Sequence, residues 1–365
     1  MTRVLHIVNR MAYGGIETFI MNVYRNVNSK NVIFDFAVHN SNPGDFDDEI
    51  KKRGGNIYFF PSRGKNLILY FYRWYKFLKS NRDKYDAVHM HVSSLTTIFP
   101  IIMAKHFGIR VRLVHAHSTS QPGFIHSVTS FINKRFIKKY STKLLACSTE
   151  AGMFVFGKND YELLNNGIEL KKYFFNPKVR KKVRKKNNIR ENEIAYVHVG
   201  RFTYAKNHQF LIKIFKEILN ANPCSKLFLI GDGELKKEIK LKVKNSNISS
   251  NVFFLGARPD VNELLMGMDC CIFPSVYEGL PISLVEAQAS GLDIYASNVI
   301  SHEIKLTPLI KFISLERSPK EWAEYILKTI KTQDRNLYNK KMYETNYNIS
   351  TTTTRLLKIY NERNN

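Results

Sequence analysis

Short apolar runs recur along the chain, each followed by a polar turn and then by a longer stretch whose apolar positions repeat every three to four residues. In the first half these runs fall at 4–8, 32–38, 57–60, 87–92, 111–117 and 144–148, with a helix predicted from about Gly15. The second half repeats the pattern at 194–199, 227–230, 252–255, 270–273 and 294–296. Strand-length runs alternating with helical stretches predict a parallel, doubly wound sheet in each half. In such sheets ligands gather beyond the carboxyl ends of the strands, so the loops there carry the chemistry. After Trp322 the chain reads as amphipathic helix running to a polar tail.

One of these loops stands out. The run 270–273 is followed by a turn through residues 274–279 and then by a helix with Pro281 near its first position and Gly291 just past its end. A helix N-terminus offers backbone N–H groups and the positive end of the helix dipole, which makes the corner Gly279, Leu280, Pro281, Ile282, Ser283 an anion site suited to phosphate. Glu278 and Glu286 bracket it. Two carboxylates beside a phosphate site need hydroxyl groups to accept from, and a nucleotide sugar offers ribose and hexose hydroxyls together with its diphosphate.

Other strand ends add candidates. The first carries Gly14 and Gly15 just before a helix, which permits close backbone approach to a ligand, although such a pair is commonly only a turn. The G-x-G-x-x-G of a nicotinamide enzyme is absent from the sequence. Gly200 is followed by Arg201 and Lys206 at the carboxyl edge shared with the phosphate corner. These are surface cations on their own, yet cations there are what a departing diphosphate requires. Asp45 and Asp47 form a D-x-D, but they sit in a polar stretch after Pro43 and Gly44 and read as helix capping and first-turn acids rather than metal ligands. His89 and His91, like His115 and His117, alternate at strand ends and project to one side, as structural histidines or as a metal pair, with no H-E-x-x-H carboxylate beside them.

The 365 residues suit two domains of about 170 to 190 residues. Fifty-six Lys and Arg against 31 Asp and Glu leave a net charge of +25, which points to a polyanionic partner or an anionic surface. Residues 63–79 set Leu67, Tyr70, Phe71, Trp74 and Phe77 among Arg73, Lys76 and Lys79, and residues 124–139 are similarly mixed. Both read as helices that pack on a sheet or lie at a lipid headgroup layer. Neither has a nucleic-acid-binding pattern. Nine cations and no acid between 171 and 186 read as a solvated basic helix linking the domains. The four cysteines, at 147, 224, 270 and 271, fit reduced thiols. The N-terminus lacks signal-peptide anatomy, and no apolar run is long enough to cross a bilayer.

The stretch YEGLPISLVEAQASG, with Glu278 and Glu286 eight positions apart, resembles the E-x7-E signature of the retaining glycosyltransferases of family 4. The likeness extends over nearly the whole chain and is strongest from 200 to 291. It includes the C-S-x-x-A-G segment from Cys147 to Gly152, the G-R-x-x-x-x-K-N from Gly200 to Asn207, and Gly231-Asp232-Gly233. Asn165 and Glu169 stand where that family usually has Pro and Asp, mild departures in a turn. The resemblance implies the fold class α/β with two Rossmann-like domains facing across a cleft (GT-B) and a C-terminal helix crossing back to the N-terminal domain. It implies residues 1–170 with a helix at about 348–365 as the acceptor side, and 171–347 as the nucleotide-sugar domain.

By the same resemblance Glu286 accepts from ribose, Glu278 from the sugar, and Arg201 and Lys206 hold the diphosphate capped by the Gly279 to Ser283 amides. Gly14 and Gly15 face the donor phosphates and the acceptor, the loop of Arg258 holds the base, and His117 reaches the sugar near the reacting bond. His91 lines the acceptor side. The implied reaction is retaining, metal-independent and cofactor-free transfer of a hexose or N-acetylhexosamine from a nucleotide sugar, with UDP as the nucleotide. The acceptor is a lipid-linked or polysaccharide glycan, as in bacterial capsule, exopolysaccharide or lipopolysaccharide assembly. The implied place is the cytoplasm, peripheral on the inner face of the cell membrane, with an anionic membrane surface and no nucleic acid as partner. Alternatives are another enzyme of this fold, such as a sugar-nucleotide epimerase or a phosphorylase, and a non-catalytic basic protein that binds nucleic acid.

Overall fold

The computed structural model describes the chain apart from residues 29, 62, 63, 65, 118–123, 331–333 and 363–365, and apart from the side chains of 124–127. Position 63, where the aromatic helix was expected to begin, and the Ser/Thr-rich loop after His117 therefore lie outside the described residues. The chain divides into two compact units, Met1–Ile168 with Asn346–Asn365, and Glu169–Thr345.

The first unit holds seven strands: β1 (Thr2–Val8), β2 (Val32–Val38), β3 (Ile57–Phe59), β4 (Ala87–Val92), β5 (Val111–Ala116), β6 (Lys143–Ala146) and β7 (Glu162–Leu163). They lie in the order β3-β2-β1-β4-β5-β6-β7, all parallel. Helices cover both faces, which is why β1, β2, β4 and β5 read as continuous apolar runs instead of alternating ones. On one face Tyr70, Trp74 and Leu78 of the helix Leu67–Asn81 reach the core, with Trp74 stacked on Phe60 at 4.0 Å between ring centroids. Leu67, expected in that buried stripe, is half exposed, because the helix turns Tyr70, Trp74 and Leu78, four apart, to the core. The helix Ile349–Asn361 returns to this unit and buries Ile349, Leu356, Ile359 and Tyr360 on the other face. Arg355 pairs with Glu162.

The second unit holds six strands: β8 (Ile194–Val199), β9 (Ser225–Ile230), β10 (Val252–Gly256), β11 (Cys270–Phe273), β12 (Asp293–Ser297) and β13 (Ile310–Ile313). Their order is β10-β9-β8-β11-β12-β13, again parallel. In each sheet the chain order reverses beside its first strand, between β1 and β4 and between β8 and β11. That reversal opens a crevice at the carboxyl ends where ligands bind. The short β7 and β13 escape the apolar-run reading, since IKFI is brief and interrupted by Lys311 and β7 has two residues.

The basic stretch 171–186 is not a solvated linker helix. Its helix Pro177–Lys186 docks on Val261–Gly267, buries Val183 and Arg184, and sends Arg180 and Arg184 to Asp269 at 2.6 and 3.0 Å. Arg184 also donates to the Glu193 carbonyl at 2.8 Å. One face of the helix thus folds into the unit and the remaining cations stay outside. Gly291, past the helix Ile282–Ala289, lies at φ 69°, where a Cβ would collide with the Arg335 carbonyl oxygen. Gly291→Ala is expected to destabilise this unit by about 2 kcal/mol, read as a lowered thermal midpoint.

Candidate active site

The crevice of the second sheet is built from two loops fastened together. After β8, Gly200 and the exposed Arg201 lead into a turn, Tyr204–Lys206. After β11 comes the loop 274–281. Val276 N donates to the Ala205 carbonyl at 2.9 Å, and Asn207 Nδ2 donates to the Pro274 carbonyl at 3.1 Å. Gly231, after β9, approaches the Gly200 carbonyl so closely that a Cβ would collide with it, so the G-D-G turn packs the loops.

This fastening brings Lys206 Nζ to 2.6 Å from Glu278 Oε1, both side chains about 15 % exposed. Lys206 also lies 4.6 Å above the Phe273 ring, a second favourable contact for its charge. The helix Ile282–Ala289 begins directly after Gly279, Leu280 and Pro281, four residues beyond Glu278. Glu286, one turn further, is 8 % exposed and accepts a hydrogen bond from Tyr173 OH at 2.7 Å. Burial pushes its carboxyl up to about 7, against the lowering effect of that hydroxyl. The structure pairs Lys206 with Glu278 just ahead, in the chain, of the helix that carries Glu286, with Arg201 on the same loop as Lys206. Arg258 is set apart at the end of β10, two strands from β8, its guanidinium held by both oxygens of Asp260.

In the first unit Gly14 precedes the helix Gly15–Asn26, and a Cβ on Gly15 would meet nothing within 4 Å. Asp45 accepts from Tyr13 N at 2.8 Å, and Asp47 opens the helix Asp47–Lys52 while accepting from Gly44 N at 2.9 Å. Both carboxylates of the D-x-D are thereby occupied by backbone, and Asp45 pins the glycine loop instead of capping its own helix.

The histidines form one body. His6, His89, His91, His115 and His117 occupy neighbouring positions on β1, β4, β5 and the residue after it, with His6 beside His89 and His91 beside His115 in register. His6 Nδ1 lies 3.0 Å from His91 Nε2, and His91 Nδ1 lies 2.9 Å from His117 Nε2. His89 Nδ1 meets Tyr360 OH at 2.7 Å. Two overlapping trios, His6/His89/His91 and His91/His115/His117, bring one nitrogen each within 4.8 Å, and two of those contacts are direct N···N hydrogen bonds. His91 is 9 % exposed and hydrogen-bonded on both sides, on a strand that runs through the middle of the sheet. Sequence reasoning missed His6 and Tyr173. The first was visible as the polar residue inside the apolar run 4–8, whereas nothing local marks the second.

Comparison with known proteins agrees with this architecture. The family model "Glycosyl transferases group 1" matches residues 179–348. The "Putative glycosyltransferase EpsF" of Bacillus subtilis is 33% identical over 98% of this chain and 96% of its own length. The capsular polysaccharide biosynthesis glycosyltransferase CapH of Staphylococcus aureus is 27% identical over 99% of both. An Escherichia coli UDP-Gal:alpha-D-GlcNAc-diphosphoundecaprenol alpha-1,3-galactosyltransferase is 30% identical over 62% of this chain and 60% of its own. Among solved structures, Anabaena HepE in complex with UDP and glucose superposes with a TM-score of 0.77, covering 98% of this chain and 99% of that one at 16% identity. The chain belongs to the group 1 glycosyltransferases, and its fold is the GT-B fold expected from the sequence.

Proposed function

We propose that this glycosyltransferase moves a hexose or N-acetylhexosamine from a UDP sugar to a lipid-linked glycan during assembly of a cell-surface polysaccharide, with retention of configuration and without a metal ion. The observation that carries the reading is the 2.6 Å pair of Lys206 and Glu278 at the start of the helix Ile282–Ala289. A sugar diphosphate needs a cation for its phosphates and an acceptor for the hydroxyls of the adjoining sugar, and these two groups offer both side by side. Glu286 is assigned to the ribose hydroxyls, the 279–283 amides and Arg201 to the diphosphate, and the loop of Arg258 to the base. Gly14, Gly15 and His117 are assigned to the acceptor and the transferred sugar. As the glycosidic bond breaks, negative charge grows on the diphosphate, where Lys206 and the helix terminus stabilise it.

Support for UDP comes from HepE, crystallised with UDP and glucose, and support for the lipid-linked acceptor from the E. coli relative, whose name states one. CapH supports polysaccharide assembly. Incubation with a panel of UDP sugars and a polyprenyl-diphosphate-linked sugar is expected to give product whose new linkage keeps the donor's anomeric configuration by NMR. EDTA is expected to leave the rate unchanged. Inversion, or loss of activity that added metal restores, would remove this reading.

No helix among the described residues is long and apolar enough to cross a membrane. Membrane contact is proposed through the helices Leu67–Asn81 and Phe124–Tyr140, which flank Phe99–His106 on one face of the first sheet. They leave Ile68 83% and Phe131 60% exposed beside Arg73, Lys76, Arg135 and Lys138. Binding to anionic vesicles at low salt, weakened by Ile68→Glu with Phe131→Glu and lost at high salt, is the expected result. Equal binding by the double variant would exclude this face.

A further inference from the structure

Glu286 is 8 % exposed, yet among the described residues its carboxyl has a single hydrogen-bond partner, the Tyr173 hydroxyl, which donates to Oε1 at 2.7 Å. Oε2 has none among the described residues. A carboxylate can accept at both oxygens, and burying one without enough donors is costly. The carboxyl pushed up to about 7 is the mark of that cost. A position serving packing alone is better filled by an apolar side chain. An acid this short of donors, in the second turn of the helix that follows the Lys206–Glu278 loop, is suited to a ligand that brings them.

The hydroxyl that reaches Oε1 is held from both directions along the chain. Tyr173 closes the short turn Leu170–Lys172, its N–H donating to the Leu170 carbonyl at 2.9 Å. Just before it, the Lys172 carbonyl accepts from Asn262 Nδ2 at 3.1 Å. Two residues after it, the Phe175 ring centroid lies 4.3 Å from the Arg335 guanidinium, and Arg335 Nε donates to the Ser290 carbonyl at 2.9 Å. Ser290 ends the helix Ile282–Ala289. The segment bearing Tyr173 is thus tied to the far end of the helix that carries Glu286, and all of these groups belong to the second unit. A side chain on backbone fixed in this way orients its neighbour before any ligand arrives.

We propose that Tyr173 is a positioning residue for the nucleotide: its hydroxyl occupies Oε1 and fixes the rotation of the Glu286 carboxyl, so that Oε2 is presented to a ribose hydroxyl. The inference rests on the assignment of Glu286 to the ribose made above. Tyr173 acts on the donor only through Glu286, and it sets how sharply the site tells a ribonucleotide from one without ribose hydroxyls. Removing the hydroxyl frees the carboxyl to turn and takes away the one contact that favours its ionised form.

The test is calorimetric titration of the full chain with UDP and with 2′,3′-dideoxy-UDP, above the pH at which Glu286 ionises, together with donor kinetics. Tyr173→Phe, which removes one oxygen, is expected to weaken UDP binding and raise the donor KM roughly tenfold while kcat stays within about twofold, as for a contact made equally in ground and transition states. Binding of the dideoxy nucleotide should hardly change, so the preference for UDP shrinks. In Glu286→Leu, adding Tyr173→Phe is expected to alter UDP binding by less than about twofold, because the hydroxyl has no carboxylate left to orient. Equal losses for the two nucleotides, or equal losses with and without the Glu286 carboxyl, mean that Tyr173 only supports the fold and overturn the proposal. A crystal structure of the wild type with UDP gives a check that needs no variant to fold. Tyr173 is expected to stay on Oε1 with the ribose on Oε2, and a hydroxyl that has left Glu286 overturns the proposal. Unchanged UDP binding by Glu286→Leu would overturn the ribose assignment itself; weakened binding by Glu286→Leu beside a silent Tyr173→Phe would overturn only the positioning role.

Discussion

Lys206→Ala is expected to lower kcat by roughly thirtyfold to a thousandfold, the ~2 to 4 kcal/mol seen when a preorganised electrostatic stabiliser is deleted. The size follows from where the ammonium sits. It is largely buried, held 2.6 Å from Glu278 and 4.6 Å above the Phe273 ring, so water screens it poorly and it need not reorganise when charge appears on the leaving diphosphate. Removing it also strands Glu278 as an unpaired carboxylate, which adds to the loss. Lys206→Ala combined with Glu278→Gln separates the two effects, because that pair of changes leaves no stranded charge. Steady-state kinetics with saturating donor make the measurement. A single variant with an unchanged kcat would take Lys206 out of the chemistry.

Glu286 carries the second large effect, and it is one of pH. Its carboxyl is pushed up to about 7 in the folded protein from a reference of 4.5, chiefly by burial. Below 4.5 it is protonated in both folded and unfolded states and contributes no pH dependence. Between 4.5 and 7 the unfolded chain ionises while the folded one resists, so stability falls as pH rises, by about 3 kcal/mol in total, and levels off above 7. Without nucleotide, the thermal midpoint of the wild type should therefore drop relative to Glu286→Gln between pH 5 and pH 8. If Glu286 meets the ribose as proposed, its hydroxyls donate to the ionised form, so UDP is expected to bind more tightly as pH rises through 7, an effect absent in the Gln variant. Calorimetric titration with UDP at pH 6 and pH 8 checks this. Parallel pH curves for the two proteins would mean that Glu286 does not titrate in this range.

The strands that read most clearly, such as β2, β4, β8 and β11, are buried on both faces, and continuous apolar runs announce them. The two that were missed, β7 and β13, are short edge strands with mixed composition. Glu278, Pro281 and Glu286 were legible because they lie within one turn and one helix, and local spacing carries their geometry. The Lys206–Glu278 pair joins residues 72 positions apart and became visible only with β8 and β11 side by side. The partnership of Tyr173 with Glu286 and the contacts among His6, His91 and His117 are set by strand order and packing, which spacing does not encode. Arg184 shows the opposite case: a run of cations looks solvated until the side chain facing Asp269 is identified.

The helix Ile349–Asn361 completes the apolar core of the first unit, yet it is synthesised after the whole of the second. While the ribosome is still translating 169–345, the nascent first unit displays an open trough bounded by Phe34, Tyr24 and Leu145 with nothing to fill it. His89 meanwhile lacks the Tyr360 hydroxyl. An isolated 1–168 fragment would therefore lack one wall of its own core, and it is expected to be less stable than the same residues in the full chain.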